Sequence, residues 1–280
     1  MSTIAPQPVA VITGGARGIG RQLATDLLAR GYRVVIGDLD QAVTDATAAE
    51  LGAGASAVRL DVTDRTNLAA VVAQVEATVG PIALWINNAG IMPTGPFRDQ
   101  KMDVARAIID INYAGVVEGT AAVLPGMLER RAGTIVNLAS ATGIKPLAGV
   151  AVYSGTKAAV IAFTQSLRRE LRGTGVRLIV VSPNLVRTAL GAGITPPRLT
   201  GVITAPMVSA AIMAALDRPR RFSIVVPGRL APVLRLSNAL PIRLRDWVDD
   251  HAGSDEVGLG GDPAVREQYL IGVLGKAKKG

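Results

Sequence analysis

Val9-Ala10-Val11-Ile12-Thr13-Gly14-Gly15-Ala16-Arg17-Gly18-Ile19-Gly20 is the stretch whose reading decides the fold. Four apolar residues form a buried strand, a glycine loop follows, and a helix is predicted from about Ile19 to Arg30. Glycines at 14, 18 and 20 permit a tight turn, close backbone approach to a pyrophosphate and close helix–strand packing. Phosphates would sit at the helix start, where unpaired N–H groups and the helix dipole favour negative charge. Gly14, Arg17, Gly18, Ile19 and Gly20 are therefore candidate dinucleotide contacts.

Moving outward, Arg33 to Gly37 reads as a second strand ending at Asp38, 24 positions after Gly14. A carboxylate there accepts hydrogen bonds from the adenosine ribose hydroxyls and repels a 2′-phosphate. Arg17 pulls the other way, since a guanidinium can pair with that phosphate. Asp38 has no arginine beside it, so NAD is favoured over NADP.

The alternation continues with helix 41–51, strand 57–60, a helix from about 64 to 79, and strand 82–86. A long helix is expected over 104–130, then strand 134–138, helix 153–172, strand 176–181, helix 205–216 and strand 222–226. Continuous apolar strands separated by helices give an α/β chain with one Rossmann-like, doubly wound parallel sheet of about seven strands. Residues 1–228 read as one dinucleotide-binding domain, and residues 229–280 as an extension made of an amphipathic segment and a polar, basic tail.

Composition removes whole classes of chemistry. The 280 residues contain no cysteine, which excludes disulfides, thiolate catalysis and zinc–thiolate sites. The single histidine, His251, lies in an acidic stretch and reads as a solvated residue, so a Ser-His-Asp hydrolase has no base. No metal site is expected. The net charge of +8 comes from scattered basic residues, and with aromatic residues at 3% the stacking platforms of a nucleic-acid binder are missing. No basic, then apolar, leader opens the sequence, and no stretch of about 18 uncharged apolar residues predicts a spanning helix; a cytoplasmic location is the expectation.

Tyr153-Ser154-Gly155-Thr156-Lys157 opens a predicted helix, with phenol and ammonium at i and i+4 on one face. A free tyrosine titrates near ~10, and a neighbouring ammonium favours its phenolate. Alone, such a pair is more often ordinary surface. Here it accompanies the glycine loop, Asn87-Asn88-Ala89-Gly90 after the fourth strand, and Ser140 thirteen positions before Tyr153. With these four ordered motifs the chain resembles the short-chain dehydrogenase/reductase family over about residues 7–227.

The resemblance implies that Ser140 binds the substrate oxygen and that Tyr153 is the acid/base. It implies that Lys157 holds the nicotinamide ribose and tunes Tyr153, and that Asn112 holds a water linking Lys157 to solvent. Asp61 and Val62 match the adenine contact. Asn88, Ala89 and Gly90 match a run that both contacts the cofactor and supports the sheet. Pro183, Val186 and Thr188 fall in the segment that meets the nicotinamide, where Asn184 replaces the family's glycine. Asparagine tolerates a left-handed conformation, so the turn is expected to survive.

A substrate lid is expected over 189–206, its residues mostly apolar (Leu190, Ile194, Pro196, Pro197, Leu199, Val202, Ile203) with Arg187 and Arg198 the charges in and beside it. The reading is a hydride transfer between a nicotinamide cofactor and an apolar secondary alcohol or ketone. An NADP-dependent 3-oxoacyl-thioester or carbonyl reductase is the alternative, and a non-catalytic dinucleotide-binding regulator the alternative of another class. The family implies a homo-oligomer. For residues 229–247, packing on a partner subunit or on the substrate pocket stands beside a peripheral membrane contact through Arg235, Arg243, Arg245 and Trp247, or a solvated extension.

Overall fold

Seven strands form a single parallel sheet: β1 (Val9–Thr13), β2 (Arg33–Asp38), β3 (Ala55–Arg59), β4 (Ile82–Asn87), β5 (Gly133–Leu138), β6 (Val176–Pro183) and β7 (Ser223–Val226). Their order is β3-β2-β1-β4-β5-β6-β7, so the direction of winding reverses between β1 and β4. A crevice opens at the carboxyl ends of the strands there, where such sheets bind ligands. The computed structural model describes residues 7–196 and 201–277; Pro197, Arg198 and Leu199 of the expected lid lie outside the described residues.

Successive residues of each strand serve opposite layers. Ala10, Ile12, Val34, Ile36, Leu84 and Ile86 pack with helices α1 (Gly18–Ala29) and α7 (Ala205–Leu216). Val9, Val11, Val35, Trp85 and Ile135 pack on the other face with α3 (Arg65–Thr78) and α5 (Gly115–Glu129). Burial on both faces is why these strands read as unbroken apolar runs. Aspartates cap helix starts within the sheet layers: Asp40 accepts from Val43 N at the head of α2 (Gln41–Leu51), and Asp64 accepts from Thr66 N and Asn67 N at the head of α3.

The expected single helix over 104–130 is interrupted. It runs as α4 (Met102–Ile109), a π-helical turn at Asp110–Ala114, and α5. The extra residue of the turn accommodates Asn112, whose side chain is committed to the backbone of Ile91. Hydrophobic periodicity carries no sign of such a demand. By length and composition Met102–Glu129 is apolar enough to cross a membrane, yet Val104, Ile108, Val116, Val123 and Met127 are buried within the protein.

Beneath the crevice a buried polar chain fixes β4, β5, α5 and α6 (Ala151–Glu170) relative to one another. Trp85 Nε1 donates to Asn87 Oδ1 (2.7 Å), and Asn87 Nδ2 donates to Thr120 Oγ1 (3.2 Å) and Asn137 Oδ1 (2.8 Å). Asn137 Nδ2 then donates to Thr164 Oγ1 (3.0 Å). Breaking one such link strands a buried polar atom, at a cost of about 1–3 kcal/mol.

Beyond β7 the chain forms α8 (Leu230–Ala239), α9 (Ile242–Ala252), α10 (Glu256–Leu259) and α11 (Pro263–Ala277). α9 ends at Gly253 in the left-handed region (φ 63°). Asp262 caps α11, accepting from Ala264 N (3.0 Å) and Val265 N (3.3 Å) ahead of Pro263 at the first helical position.

Candidate active site

The glycine loop lies where the first strand delivers it, over the reversal point. Gly14 has φ 61°, and a side chain there would place Cβ 2.9 Å from Ala89 Cα, so the backbones of the loop and of the segment after β4 touch. Asn88 makes that contact specific. Its Nδ2 donates to Thr13 O (3.0 Å) and Gly14 O (2.9 Å), while Thr13 Oγ1 accepts from Asn88 N and Ala89 N (both 3.0 Å). Arg17, the N-cap of α1, is extended and makes no side-chain capping bond. The first-turn N–H groups are thus left to a ligand, which fits a pyrophosphate.

Asp38 ends β2 beside this loop. Its Oδ2 accepts from Ala16 N (3.3 Å) and its Oδ1 from Leu39 N (2.9 Å), which holds the carboxylate at the rim. Arg17 reaches over to Asp40, 3.6 Å away. Asp61 and Val62 sit further along the strand ends. Asp61 Oδ1 accepts from Thr63 N and Thr63 Oγ1, while Val62 is buried against Gly115 of α5.

Ser140, Tyr153 and Lys157 line one apolar cavity of about 310 Å³. Ser140 caps a short 3₁₀ turn (141–143), its Oγ accepting from Thr142 N (3.2 Å) and Thr142 Oγ1 (3.0 Å). Its own hydroxyl proton remains for Tyr153 or a ligand. Burial pushes the Tyr153 phenol up to about 12; the Ser140 hydroxyl pulls it down, and nearby Tyr269 adds to the rise. Burial likewise lowers Lys157 to about 8. Lys157 Nζ lies 5.7 Å from the centre of the Tyr153 ring and donates to Leu138 O at 2.8 Å.

Asn112 is not on the cavity wall. It is fully buried behind Gly90, with Oδ1 accepting from Ile91 N and Nδ2 donating to Ile91 O, both at 2.8 Å. A methyl at Gly90 would stand 3.1 Å from Asn112 Oδ1 and 3.6 Å from Lys157 Nζ, so these groups share one small neighbourhood. Pro183, Val186 and Thr188 border the cavity with Ile19, Asn88 and Gly90, on the side facing the glycine loop. Asn184 differs from the expectation: among the described residues the one non-glycine positive φ belongs to Arg131, so Asn184 needs no left-handed conformation. It is held instead by Asn184 N donating to Val226 O and Nδ2 donating to Gly201 O.

Of the readings offered for residues 229–247, packing on the substrate pocket is the one seen, and the closure continues beyond that segment. Leu230, Val233, Leu234 and Ser237 of α8, Val248 and Ala252 of α9, and Val257 of α10 line the cavity. These elements clasp the segment after Ser140. Asn238 Nδ2 donates to Ile144 O (2.7 Å), Lys145 pairs with Asp249, and Ala148 N donates to Asp255 Oδ1 (3.2 Å). At Gly149 the backbone runs so close to Gly258 that a Cβ would lie 2.4 Å from Gly258 C.

On the opposite side, α11 sends the buried Arg266 between two loops. Nε donates to Thr94 Oγ1 (3.1 Å), Nη1 to Leu190 O and Ala192 O (3.0 Å each), and Nη2 to Met92 O. Tyr269 lies under that guanidinium (4.5 Å to the ring centre) and accepts from Met92 N (3.0 Å). The expected polar tail is instead largely helical in its described part, with α11 started by Asp262 and Pro263, a signal that was not read as one, and nothing in the sequence announces where that helix docks.

The chain matches the short chain dehydrogenase family profile over residues 8–198. It is 36% identical over 222 residues to the ketoacyl reductase HetN of a Nostoc species, covering 77% of each chain. With a 2-(S)-hydroxypropyl-CoM dehydrogenase of Xanthobacter autotrophicus it shares 35% identity over 217 residues, 76% of this chain and 84% of that one. A short-chain dehydrogenase/reductase of Burkholderia phymatum, solved in complex with NAD, superposes with a TM-score of 0.77 at 26% identity, over 83% of this chain and 93% of that one. Glycine loop, serine, tyrosine and lysine stand in one crevice and the match spans well over half of the sequence: the chain belongs to the short-chain dehydrogenase/reductase family, oxidoreductases that act on CH–OH groups with a nicotinamide cofactor.

Proposed function

We propose that this oxidoreductase interconverts apolar secondary alcohols and ketones, using NAD(H). The observation that carries the reading is the cavity itself, in which Ser140, Tyr153 and Lys157 are surrounded by Met92, Leu147, Val150, Leu185, Leu190 and Ile194. Such a wall rewards burial of hydrocarbon at roughly 25 cal/mol per Å² and offers few partners to a polyol. The bound nicotinamide supplies or accepts the hydride; the chain manages the proton and the oxygen.

Tyr153, pushed up to about 12, is a neutral phenol near neutrality and is poised as the proton donor for reduction. In the oxidative direction it must accept the alcohol proton, for which the Lys157 ammonium and the charge of an oxidised cofactor supply the drive. Ser140 directs its hydroxyl proton to the substrate oxygen and stabilises charge developing there. Asn112 acts from behind, holding Ile91 and so the floor beside Lys157. At the adenosine end the two carboxylates Asp38 and Asp40 oppose a 2′-phosphate, and Arg17 is engaged with one of them, which supports NAD.

The test is turnover of 2-octanol and sorbitol with NAD, using Tyr153→Phe as the control. We expect 2-octanol to be oxidised, sorbitol to be inert, and the variant to lose about 10²–10⁴-fold in rate. Turnover of sorbitol in preference to 2-octanol would overturn the apolar reading, and a fully active Tyr153→Phe would overturn the assignment of the acid/base.

A further inference from the structure

Two charged side chains line the cavity among the described residues, Lys157 and Lys145. Lys157 is spoken for: it lies beside Tyr153 and donates to Leu138 O. Lys145 stands five residues past Ser140, where Asn238 of α8 bonds the preceding Ile144 and Asp249 of α9 pairs with Lys145 itself, so it lies at the end of the cavity that α8 and α9 close. A lysine on an apolar wall is a ready anchor for a carboxylate or phosphate at the far end of a substrate. The net charge of +8 would also draw anions towards the molecule. The anchor is already occupied. Asp249 of α9 meets the Lys145 ammonium directly, and both side chains are only 16% exposed. Ser254 Oγ donates to the same carboxylate oxygen at 3.3 Å, holding Asp249 in place.

We propose that Asp249 sets the charge specificity of this enzyme by cancelling Lys145, so that the far end of the cavity accepts an uncharged substrate tail and turns away an anionic one. Asp249 itself does not line the cavity; it acts through Lys145. An incoming carboxylate would have to displace Asp249 and leave it in a poorly solvated place without a partner, which is costly. An apolar tail lies against the Lys145 stem and disturbs nothing. Discrimination of this kind works by penalising the wrong ligand more than by rewarding the right one. The inference rests on the reading of the cavity as a substrate site for apolar compounds and names the charge class that it takes.

The experiment is calorimetric binding of two ketones to the NAD-loaded protein, where hydride transfer cannot proceed because the cofactor is already oxidised. 2-Octanone and 7-oxooctanoate have the same chain length and differ at the tip, methyl against carboxylate. The wild-type protein should bind 2-octanone more tightly. Asp249→Asn, which frees Lys145 with little change of shape, should tighten 7-oxooctanoate at least about tenfold, the scale of one hydrogen bond to a charged group. It should move 2-octanone by less than about threefold. Adding Lys145→Met to Asp249→Asn should remove the gain, which a loosened α9 could not do.

The proposal is overturned if Asp249→Asn leaves 7-oxooctanoate binding unchanged, if the double variant keeps the gain, or if the wild type binds 7-oxooctanoate measurably and at least as tightly as 2-octanone. An Asp249→Asn protein that fails to fold is replaced by the exchanged pair Lys145→Asp/Asp249→Lys, which must keep the wild-type preference; loss of that preference overturns the proposal. If 2-octanone binds no form of the protein while 7-oxooctanoate binds Asp249→Asn alone, the apolar reading falls and the charge selector stands.

Discussion

Lys157→Met separates what the buried lysine costs the fold from what it gives the reaction. Burial lowers Lys157 from its ordinary 10.5 to about 8 in the folded, cofactor-free protein. Below pH 8 the ammonium is present in both folded and unfolded chains, and folding bears the full desolvation. The displacement from 10.5 to about 8 corresponds to about 3 kcal/mol at 1.36 kcal/mol per pH unit. Between pH 8 and 10.5 the unfolded chain keeps a proton that the folded chain has shed. Stability contributed through this group therefore rises with pH in that window. Integrated from pH 7 to 9.5, the wild type should gain about 2 kcal/mol relative to Lys157→Met. Loss of the bond to Leu138 O shifts the variant by about 1.5–3 kcal/mol at every pH, so the slope and not the offset is diagnostic. Tyr153, raised from 10 to about 12, changes stability only at higher pH, where its contribution falls away. The assay is reversible denaturant unfolding of both proteins without cofactor at pH 7, 8, 9 and 9.5. A difference that stays constant across these values, or that grows in favour of the variant, would refute the buried-ammonium reasoning.

Two further outcomes test other parts of the site. Asp38→Ala should lower the preference for NADH over NADPH by about tenfold in fluorescence titrations, because one like charge near the 2′-phosphate is worth about 1–4 kcal/mol at surface dielectric values; an unchanged ratio would remove Asp38 from cofactor selection. Arg266→Met keeps the stem over Tyr269 but withdraws the donors to Met92, Thr94, Leu190 and Ala192. It should cost about 1–3 kcal/mol for each buried acceptor left without a donor and raise amide exchange in residues 91–96 and 188–194 together while NADH affinity holds; exchange confined to α11 would show that the helix is merely docked.

What was legible in the sequence was whatever repeats locally. β1, its glycine loop and α1 follow from apolar run, glycine spacing and helix signals within twelve consecutive residues, and the sheet follows because buried parallel strands must be apolar on both faces. Ser140, Tyr153 and Lys157 were legible through the family resemblance that their ordered motifs carry, and the structure brings all three to one cavity. The π-helical turn at Asn112 was not, since a polar residue in a helical pattern reads the same whether its amide faces water or pairs with Ile91, 21 positions away. Packing of residues 229–247 on the pocket was among the readings and α8 shows it, but which side chains α9 to α11 bring to the loops was not legible, for the same reason in stronger form. Arg266 and Lys145 look like surface cations in a basic chain, and their partners at Met92, Leu190 and Asp249 lie between 76 and 174 residues distant. Charge bound to distant backbone or to a distant carboxylate leaves no periodic trace. The family motifs are short and local, whereas the far wall of the cavity is built by long-range pairs between the end of the chain and the loops of the sheet. An apolar substrate was already the expectation from the lid residues; what had to wait for the fold was the Lys145–Asp249 pair, on which the proposed charge selection rests.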